Sequence, residues 1–300
     1  MTKNKFVRIP LMFISKYLGR YYPEYVARLR YFLRFGKLLN LNNPKTLNEK
    51  ILYLSLRTDT SEWSRLTDKF NVRKYVEDCG LKEILVRNYA YWRKEDEINF
   101  DNLPESFVIK SVQGCGDTII VKDKTFLEEK LVRRKLNSML KQITGTTSGE
   151  KHYFRIKPAI IVEELLPIKS DFTSLIDYKF WCFNGEPRFI LTCSNRFNNG
   201  VYLGLYDTEW NYCPNDMIFS KKYPEESSPL DKPQNFEEML KIAENLSKPF
   251  PCVRVDLYNI EGKIYFGEMT FTSMGGMMIY FTDKFQNFAG DMIDLYYKIK

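Results

Sequence analysis

The stretch Val253–Gly276 (VRVDLYNIEGKIYFGEMTFTSMGG) carries Arg254, Asp256 and Glu268 inside two runs of alternating residues. Val253 to Tyr258 alternates, Asn259–Gly262 has turn chemistry, and Lys263–Met269 alternates again. This predicts two strands joined by a tight turn. Side chains two apart share one face of a strand. Arg254 and Asp256 therefore share a face, and the same period groups Phe266, Glu268 and Thr270, opposite to Tyr265. If the hairpin closes at the turn, Asp256 and Glu268 face each other across it. Two carboxylates beside a guanidinium suit Mg²⁺ carrying nucleotide phosphates, because that ion takes hard oxygen ligands and shares them with phosphate. A surface hairpin with ordinary charge alternation explains the same pattern, and explains it better when the stretch is taken alone.

Three more places could hold a nucleotide. Phe107-Val-Ile-Lys110 ends an apolar strand in a lysine, just before Gln113-Gly-Cys-Gly116-Asp117. The lysine can neutralise phosphate oxygens, and a glycine turn lets backbone N–H groups approach them closely. No GxxxxGK[ST] is present, so this is not a Walker loop. Ile160-Ile-Val-Glu-Glu-Leu-Leu166 is an apolar strand whose exit could offer backbone groups to an adenine edge; a strand end reaching solvent is the plain alternative. Asp177 and Lys179 sit two apart on the next strand, hence on one face. They suit ribose hydroxyls and a phosphate, or form an i, i+2 surface ion pair.

Around these residues the pattern predicts an α+β chain. Thr46-Leu-Asn-Glu49 fits a capping box opening a helix through Leu56. A second helix starts near Thr67, with Val72, Tyr75, Val76 and Cys79 at helical spacing and Gly80 at its end. Strands are predicted at 84–89, 106–111, 118–121 and 159–166, and a charged amphipathic helix at 125–142. Thr144–Lys151 (TGTTSGEK) reads as a mobile polar loop. Residues 178–183 and 188–193 flank Asn184-Gly185, a strong hairpin signal. Residues 196–235 read as irregular, 236–246 as a helix stopped by Pro249, and 285–299 as a closing helix. The domain boundary is expected near residue 85, with a basic helical region over 1–85 and a strand-rich body over 86–300.

The chain has 300 residues, one histidine and six cysteines, with no CxxC spacing. A zinc site and a histidine-based triad are therefore disfavoured, and the cysteines read as reduced, mostly buried thiols of a cytoplasmic protein. No run of about 18 apolar residues predicts a membrane span, and no signal peptide is evident. The net charge of +7 is uneven. Residues 1–50 carry eleven Lys and Arg against two Glu, a balance of +9, leaving −2 for the rest. Met1–Arg34 mixes Phe, Leu, Ile and Tyr with Lys and Arg. That suits a helix on anionic lipid at the inner membrane face or on an acidic partner, or an amphipathic helix packed on its own body with its basic face in water. The basic charge continues into no recognisable nucleic-acid module, so no nucleic-acid partner is expected.

The order of these pieces is more specific than any one of them. Strand with Lys110, glycine hairpin, helix, strand with Glu163-Glu164, strand with Asp177 and Lys179, Arg254-x-Asp256 and Glu268-x-Thr270 resembles the layout of the ATP-grasp superfamily. Arg254-Val-Asp256 and Gly267-Glu-Met-Thr270 look like the metal motifs of D-alanine–D-alanine ligases. The closer resemblance, over about residues 46–276, is to the TupA-like ATP-grasp family associated with surface-polysaccharide synthesis. It rests on Leu47-Asn-Glu-Lys50, Asp68-Lys69 with Val72-Arg73, Leu103-Pro-x-x-Phe-Val-x-Lys110, Asp177-Tyr-Lys-Phe180 with Phe183-Asn-Gly185, and Phe266-Gly-Glu-Met-Thr-Phe271.

The resemblance implies two α+β subdomains gripping ATP. It implies that Lys110 and Lys179 contact its phosphates and that Gly114, Cys115, Gly116 and Asp117 form a phosphate lid. Glu163, Glu164, Leu165 and Leu166 would form the adenine hinge, and Asp177 would approach the ribose. Asp256, Glu268 and Thr270 would hold Mg²⁺, with Thr270 where such ligases commonly carry a longer asparagine. Arg254 would hold the transferred phosphoryl group. The reaction implied is carboxylate–amine ligation through an acyl phosphate, joining an amino acid to a sugar-acid or sugar-linked carboxylate for capsule, O-antigen or related polymers. The alternatives are a glycosyl- or phosphoryl-transferase, against which stands the lack of a DxD triplet, and a membrane-associated scaffold with a vestigial nucleotide site.

Overall fold

A computed structural model describes residues 17–114, 116–197 and 200–298. Within them lie two antiparallel sheets, each in its own compact unit. The first unit comprises the described part of Met1–Asn40 with Leu52–Asn71 and Arg87–Leu165; the second comprises Leu41–Ile51, Val72–Val86 and Leu166–Lys300. The chain passes between them several times before residue 90, so the helices that precede the strands are shared between the units.

The first unit holds strands β1 (Asn88–Trp92), β2 (Phe107–Ser111), β3 (Thr118–Val121) and β4 (Ile160–Glu164), in the order β1-β4-β2-β3. Phe107, Ile109, Ile160 and Val162 point to one face, where helix α5 (Glu129–Leu140) lays Val132, Leu136 and Met139 against them. Those three recur at i, i+4 and i+7, the spacing that puts them on one helix face. The two-residue period then sends Lys110 and Glu163 to the opposite face. Phe70 and Tyr91 help to cover that face, against Val112, Ala159 and Ile161.

The N-terminal helices of this unit are α1 (Pro23–Phe35), preceded by a helical turn at 17–21, and α3 (Ser61–Thr67). Helix α1 buries Val26, Ala27 and Tyr31. Segment 144–151 is packed rather than loose. Its Gly145 carbonyl accepts from the N–H groups of Ser148 and Glu150. A Cβ on Gly149 would lie 2.7 Å from the Pro23 carbonyl oxygen. Glycine here admits a neighbouring backbone, where composition alone suggests mobility.

The second unit holds β5 (Asp177–Phe183), β6 (Glu186–Phe197), β7 (Gly200–Tyr206), β8 (Cys252–Ile260) and β9 (Lys263–Thr270), in the order β7-β6-β5-β8-β9. Strand β5 is buried along its whole length. Helix α6 (Phe236–Ser247) covers one face with Phe236, Met239, Ile242 and Leu246, and Phe180 stacks on Phe236. Asp177 and Lys179 consequently point to the other face, as do Arg254 and Asp256 on β8. Helices α2 (Leu47–Arg57) and α4 (Val72–Asp78) bracket the first unit's α3 in sequence, and α7 (Asp283–Asp291) packs on the start of α2.

Several expectations shift. The Thr46–Glu49 capping box forms: the Glu49 N–H donates to Thr46 Oγ1 and the Thr46 N–H to Glu49 Oε2, both at 3.2 Å. The helix expected to start near Thr67 starts at Val72 as α4, and the separate helix α3, which ends at Thr67, was not expected. Asp68 separates the two by taking the N–H groups of Phe70 and Asn71 on its carboxylate, the local competition that keeps aspartate out of helix interiors. The first strand starts at Asn88, not residue 84, because Lys82–Ile84 closes a 3₁₀ turn. The span read as irregular contains β7, and the closing helix stops at Asp291. The turns at Asn184-Gly185 and Glu261-Gly262 have positive φ at both residues, as two-residue hairpins require.

Strand β9 also departs from strict alternation. Asp256 pairs with Glu268 and Arg254 with Thr270, but Leu257 pairs with Phe266, leaving Gly267 as an extra residue. This bulge flips the faces beyond it. Glu268 and Thr270 stay beside Asp256, whereas Phe266 joins Leu257 on the helix-covered face, against the expectation that all three group together.

Candidate active site

In the second unit the site is built on the face of β5, β8 and β9 away from α6. Lys179 stands directly opposite Asp256 across the β5–β8 pair, and its Nζ donates to Asp256 Oδ2 and, at 3.3 Å, to Asp177 Oδ1. Arg254 grips the other side of Asp256 in a two-pronged pair, Nε to Oδ1 at 2.6 Å and Nη2 to Oδ2 at 2.8 Å. The same Nη2 donates to Glu268 Oε1 at 3.1 Å and Thr270 Oγ1 at 3.0 Å. Thr270 Oγ1 donates to Glu268 Oε1 at 2.8 Å. Asp177, Lys179, Arg254, Asp256, Glu268 and Thr270 thus form one connected cluster.

Two members were not singled out from sequence. Arg196 Nη2 donates to Asp177 Oδ2, and Arg254 Nη1 to Ser273 Oγ at 2.6 Å. Arg196 escapes notice because β6 runs to Phe197, well past the expected strand end at 193. An irregularity after Ser194 re-aims its last residues. Ser273 lies in a one-turn 3₁₀ helix with no periodic signal.

Burial sets the electrostatics. Asp256 is 1% exposed and Lys179 and Arg254 are 8% exposed, whereas the Glu268 side chain keeps 35% of its surface in solvent. Burial pushes the Asp177 carboxyl up, but Lys179 and Arg196 outweigh it and hold it below the usual carboxylate range. Burial works to lower Lys179, yet Asp177 and Asp256 hold its ammonium above the ordinary value. Arg254 is likewise held up by Asp256 and Glu268 against its burial. The Asp177 charge, with burial, drives the Tyr258 hydroxyl well above its normal range. Removing one partner from so dry a cluster strands the others, which is where buried ion pairs are costly.

In the first unit Lys110 Nζ donates to Glu163 Oε2 at 2.8 Å. The two lie diagonally across β2 and β4 on the face away from α5. The β2–β3 turn is cinched by Ser111, whose N–H donates to the Asp117 carbonyl at 3.4 Å and whose Oγ donates to Asp117 Oδ2 at 3.4 Å. Lys69 Nζ donates to the Gly114 carbonyl at 2.7 Å. A Cβ on Gly114 would lie 2.0 Å from Ser111 Oγ, so the turn needs that glycine. Gly116 has φ +83°, and Cys115 lies outside the described residues. At the end of β4, Glu164 is exposed, Leu165 half-buried and Leu166 buried.

The donor set fits a divalent cation. Asp256 and Glu268 are cross-strand partners with Thr270 on the same face, all hard oxygen donors. Among the described residues no group of three acidic, histidine or cysteine side chains is placed to hold a metal ion. The fit is therefore to a metal held by two carboxylates and completed by water and phosphate oxygens, as Mg²⁺ commonly is. Among the described residues Cys79, Cys182, Cys193, Cys213 and Cys252 are free thiols, and no helix is long and apolar enough to cross a membrane.

The family model for TupA-like ATPgrasp matches residues 49–294. No curated protein matches the chain. Among solved structures, D-alanine–D-alanine ligase from Bacillus anthracis is similar with a TM-score of 0.44 at 17% identity, covering 83% of this chain and 69% of its own. L-amino acid ligase from Bacillus licheniformis is similar with a TM-score of 0.47 at 14% identity, covering 84% of this chain and 55% of its own. On the extent of the family match, the chain belongs to the TupA-like ATP-grasp family.

Proposed function

We propose that the chain is an ATP- and Mg²⁺-dependent carboxylate–amine ligase that attaches an amino acid to a sugar-acid or sugar-linked carboxylate during capsule, O-antigen or other surface-polysaccharide synthesis. The observation that carries the chemistry is the Arg254–Asp256–Glu268–Lys179 cluster, two acids and two fixed cations in a mostly dry setting. The polysaccharide role rests on the family. A substrate carboxylate oxygen attacks the γ-phosphorus of ATP, and the bond to the β,γ-bridging oxygen breaks to release ADP. The nitrogen of the amine then attacks the acyl carbon of the resulting acyl phosphate and loses a proton, and phosphate leaves.

The side chains divide this work. Lys110 and Lys179 neutralise phosphate oxygens, and Arg254 holds the transferring phosphoryl group and the charge that develops on the attacked carboxylate. Ser273 and Thr270 keep the Arg254 guanidinium in one orientation, so little reorganisation accompanies the reaction. Asp177, positioned by Arg196, accepts ribose hydroxyls, and Glu163 to Leu166 receive the adenine. The glycine turn Gly114–Asp117 covers the phosphates and keeps water from the acyl phosphate. Asp256, Glu268 and Thr270 would hold Mg²⁺, which supplies charge neutralisation on phosphate oxygens. The test is ADP release in the presence of a uronic acid and an amino acid. Release requiring both supports the ligase, and release with neither substrate pair tried contradicts it.

We also place the protein in the cytoplasm at the inner membrane face. Helix α1 is apolar on two sides. Opposite its packed residues Val26, Ala27 and Tyr31 it exposes Tyr25, Leu29, Phe32 and Leu33, continued by Tyr21 and Leu38. A helix of this kind in a strongly basic segment suits an anionic lipid surface, with tyrosines at the headgroup level. Residues 1–16 of the expected contact lie outside the described residues. Sedimentation with phosphatidylglycerol vesicles should carry the protein down at low salt and fail with phosphatidylcholine alone. The triple change Leu29→Ser, Phe32→Ser, Leu33→Ser should lose binding without losing the fold. Equal sedimentation of the triple variant rules out this face, and apolar self-association in its place appears as a dimer by light scattering.

A further inference from the structure

A cavity of about 300 Å³ opens in the first unit. Arg65 of α3, Arg93 just after β1, and Arg155 and Lys157 just before β4 line it, with Asp68 and Tyr91. Four cations therefore surround one carboxylate. That carboxylate is already occupied: Asp68 Oδ1 accepts the N–H groups of Phe70 at 2.8 Å and Asn71 at 3.0 Å, and Oδ2 the Asn71 amide at 2.8 Å. Burial further raises the Asp68 carboxyl, so it is a poor counter-ion for four cations.

The cations are only partly spent elsewhere. Arg65 pairs with Glu62 outside the lining. Arg155 approaches Asp59 no closer than 3.7 Å, and both side chains are more than half exposed, so the pair is weak. Arg93 uses Nε on the Tyr91 hydroxyl at 3.0 Å, which fixes its guanidinium against a ring that Phe70 backs at a centroid distance of 4.0 Å. Lys157 lies exposed at the rim. A planar guanidinium in the lining of a cationic hollow suits the oxygens of an anion, which it can take in pairs. A single carboxylate would leave most of this charge unmatched, whereas a phosphate ester brings about two negative charges and several acceptor oxygens.

The cavity is tied to the glycine turn. Lys69, next to Asp68, donates its N–H to the Val112 carbonyl and its Nζ to the Gly114 carbonyl. Tyr91 sits on β1, directly across from Ile161 of β4. The hollow thus adjoins the turn that the ligase reading assigns to the ATP phosphates.

We infer that this cavity binds a phosphate group carried by the acceptor, so that the carboxylate substrate is a phosphorylated sugar acid and not a free one. The inference rests on the ligase reading for the word acceptor; the anion site itself does not. Arg93, Arg155 and Lys157 hold the phosphate, and Arg65 completes the charge.

Calorimetry on the full chain tests this with four probes: glucuronic acid 1-phosphate, glucuronic acid, inorganic phosphate and ATP. Glucuronic acid 1-phosphate should bind at least tenfold more tightly than glucuronic acid and more tightly than inorganic phosphate. The double change Arg93→Ala, Lys157→Ala should weaken its binding at least tenfold while ATP affinity stays within twofold; both positions are exposed, and an unchanged melting temperature checks the fold. No binding of either phosphate probe, or equal binding by the double variant, overturns the inference. Inorganic phosphate binding as tightly as the sugar phosphate overturns its acceptor part. If ATP fails to bind while the sugar phosphate binds normally, the ligase reading falls and the anion site stands.

Discussion

Asp256 is held by both Lys179 and Arg254, so its variants report on function and stability together. Asp256→Asn keeps the shape but leaves Lys179 and Arg254 facing a neutral amide. Loss of one partner from a buried pair typically costs about 3–5 kcal/mol. Turnover should fall below detection while the melting temperature drops by several degrees, measured by ADP release and by calorimetric melting. Normal turnover in a folded Asp256→Asn protein would remove this carboxylate from the chemistry.

The titration signs also belong to single residues. Asp177 is held below its unfolded value, so its contribution is present above about pH 4 and lost as pH falls through the folded value. Lys179 is held above its unfolded value, so its contribution is present below about pH 10 and lost as pH rises through the folded value. His152 acts differently. Burial lowers it to about 3, so between about pH 6.5 and pH 3 the unfolded chain takes a proton that the folded chain refuses. Stability must therefore fall on acidification through that window, by about 2 kcal/mol between pH 7 and pH 5. Urea unfolding at the two pH values should show this slope, and His152→Leu should flatten it. An unchanged slope in the variant would assign the acid sensitivity to other groups.

At the scale of elements, the functional faces were largely legible because strand period fixes them. Lys110, Asp177, Lys179, Arg254, Asp256 and Glu268 fall on the faces that alternation gives them. What alternation misses is a single inserted residue: Gly267 sends Phe266 to the covered face, and nothing in the run from Lys263 to Met269 marks it except a glycine. Strand β7 and helix α3 were missed for a related reason. The first lies among turn residues and prolines, and the second is only seven residues long, below the length at which helical periodicity is distinctive. Arg196 and Ser273 act from such irregular places, so no periodic argument could reach them. Glycine contacts between elements are equally silent in sequence. Gly290 of α7 lies where a Cβ would stand 2.0 Å from the Lys45 carbonyl oxygen, just before α2. Gly290→Ala must push the two elements apart and should cost about 1–3 kcal/mol. Denaturant melting reads this directly, and a neutral effect would mean that α7 is not held there.

At the scale of the whole molecule, the chain is two antiparallel sheets, each with one helix-covered face and one face carrying charge. In the first unit that charge is Lys110 with Glu163; in the second it is the Arg254 cluster. The N-terminal helices, which the charge count alone left open between lipid and self-packing, pack by one side of α1 and keep an apolar side in solvent. Sequence order carried the family because each strand brings one or two functional groups in a fixed succession. The cations of the first unit's cavity were not legible as a set, because they come from a short helix, a strand end and a loop, with no motif among them.

Titration of the full chain with Mg²⁺ and a non-hydrolysable ATP analogue by calorimetry tests the central claim most directly. The expected result is saturable heat for the native protein and at least tenfold weaker binding for Lys110→Ala and for Asp256→Asn, each shown to be folded by its melting curve. No heat with the native protein, or native affinity in both variants, would contradict the assignment of these residues to one magnesium–triphosphate.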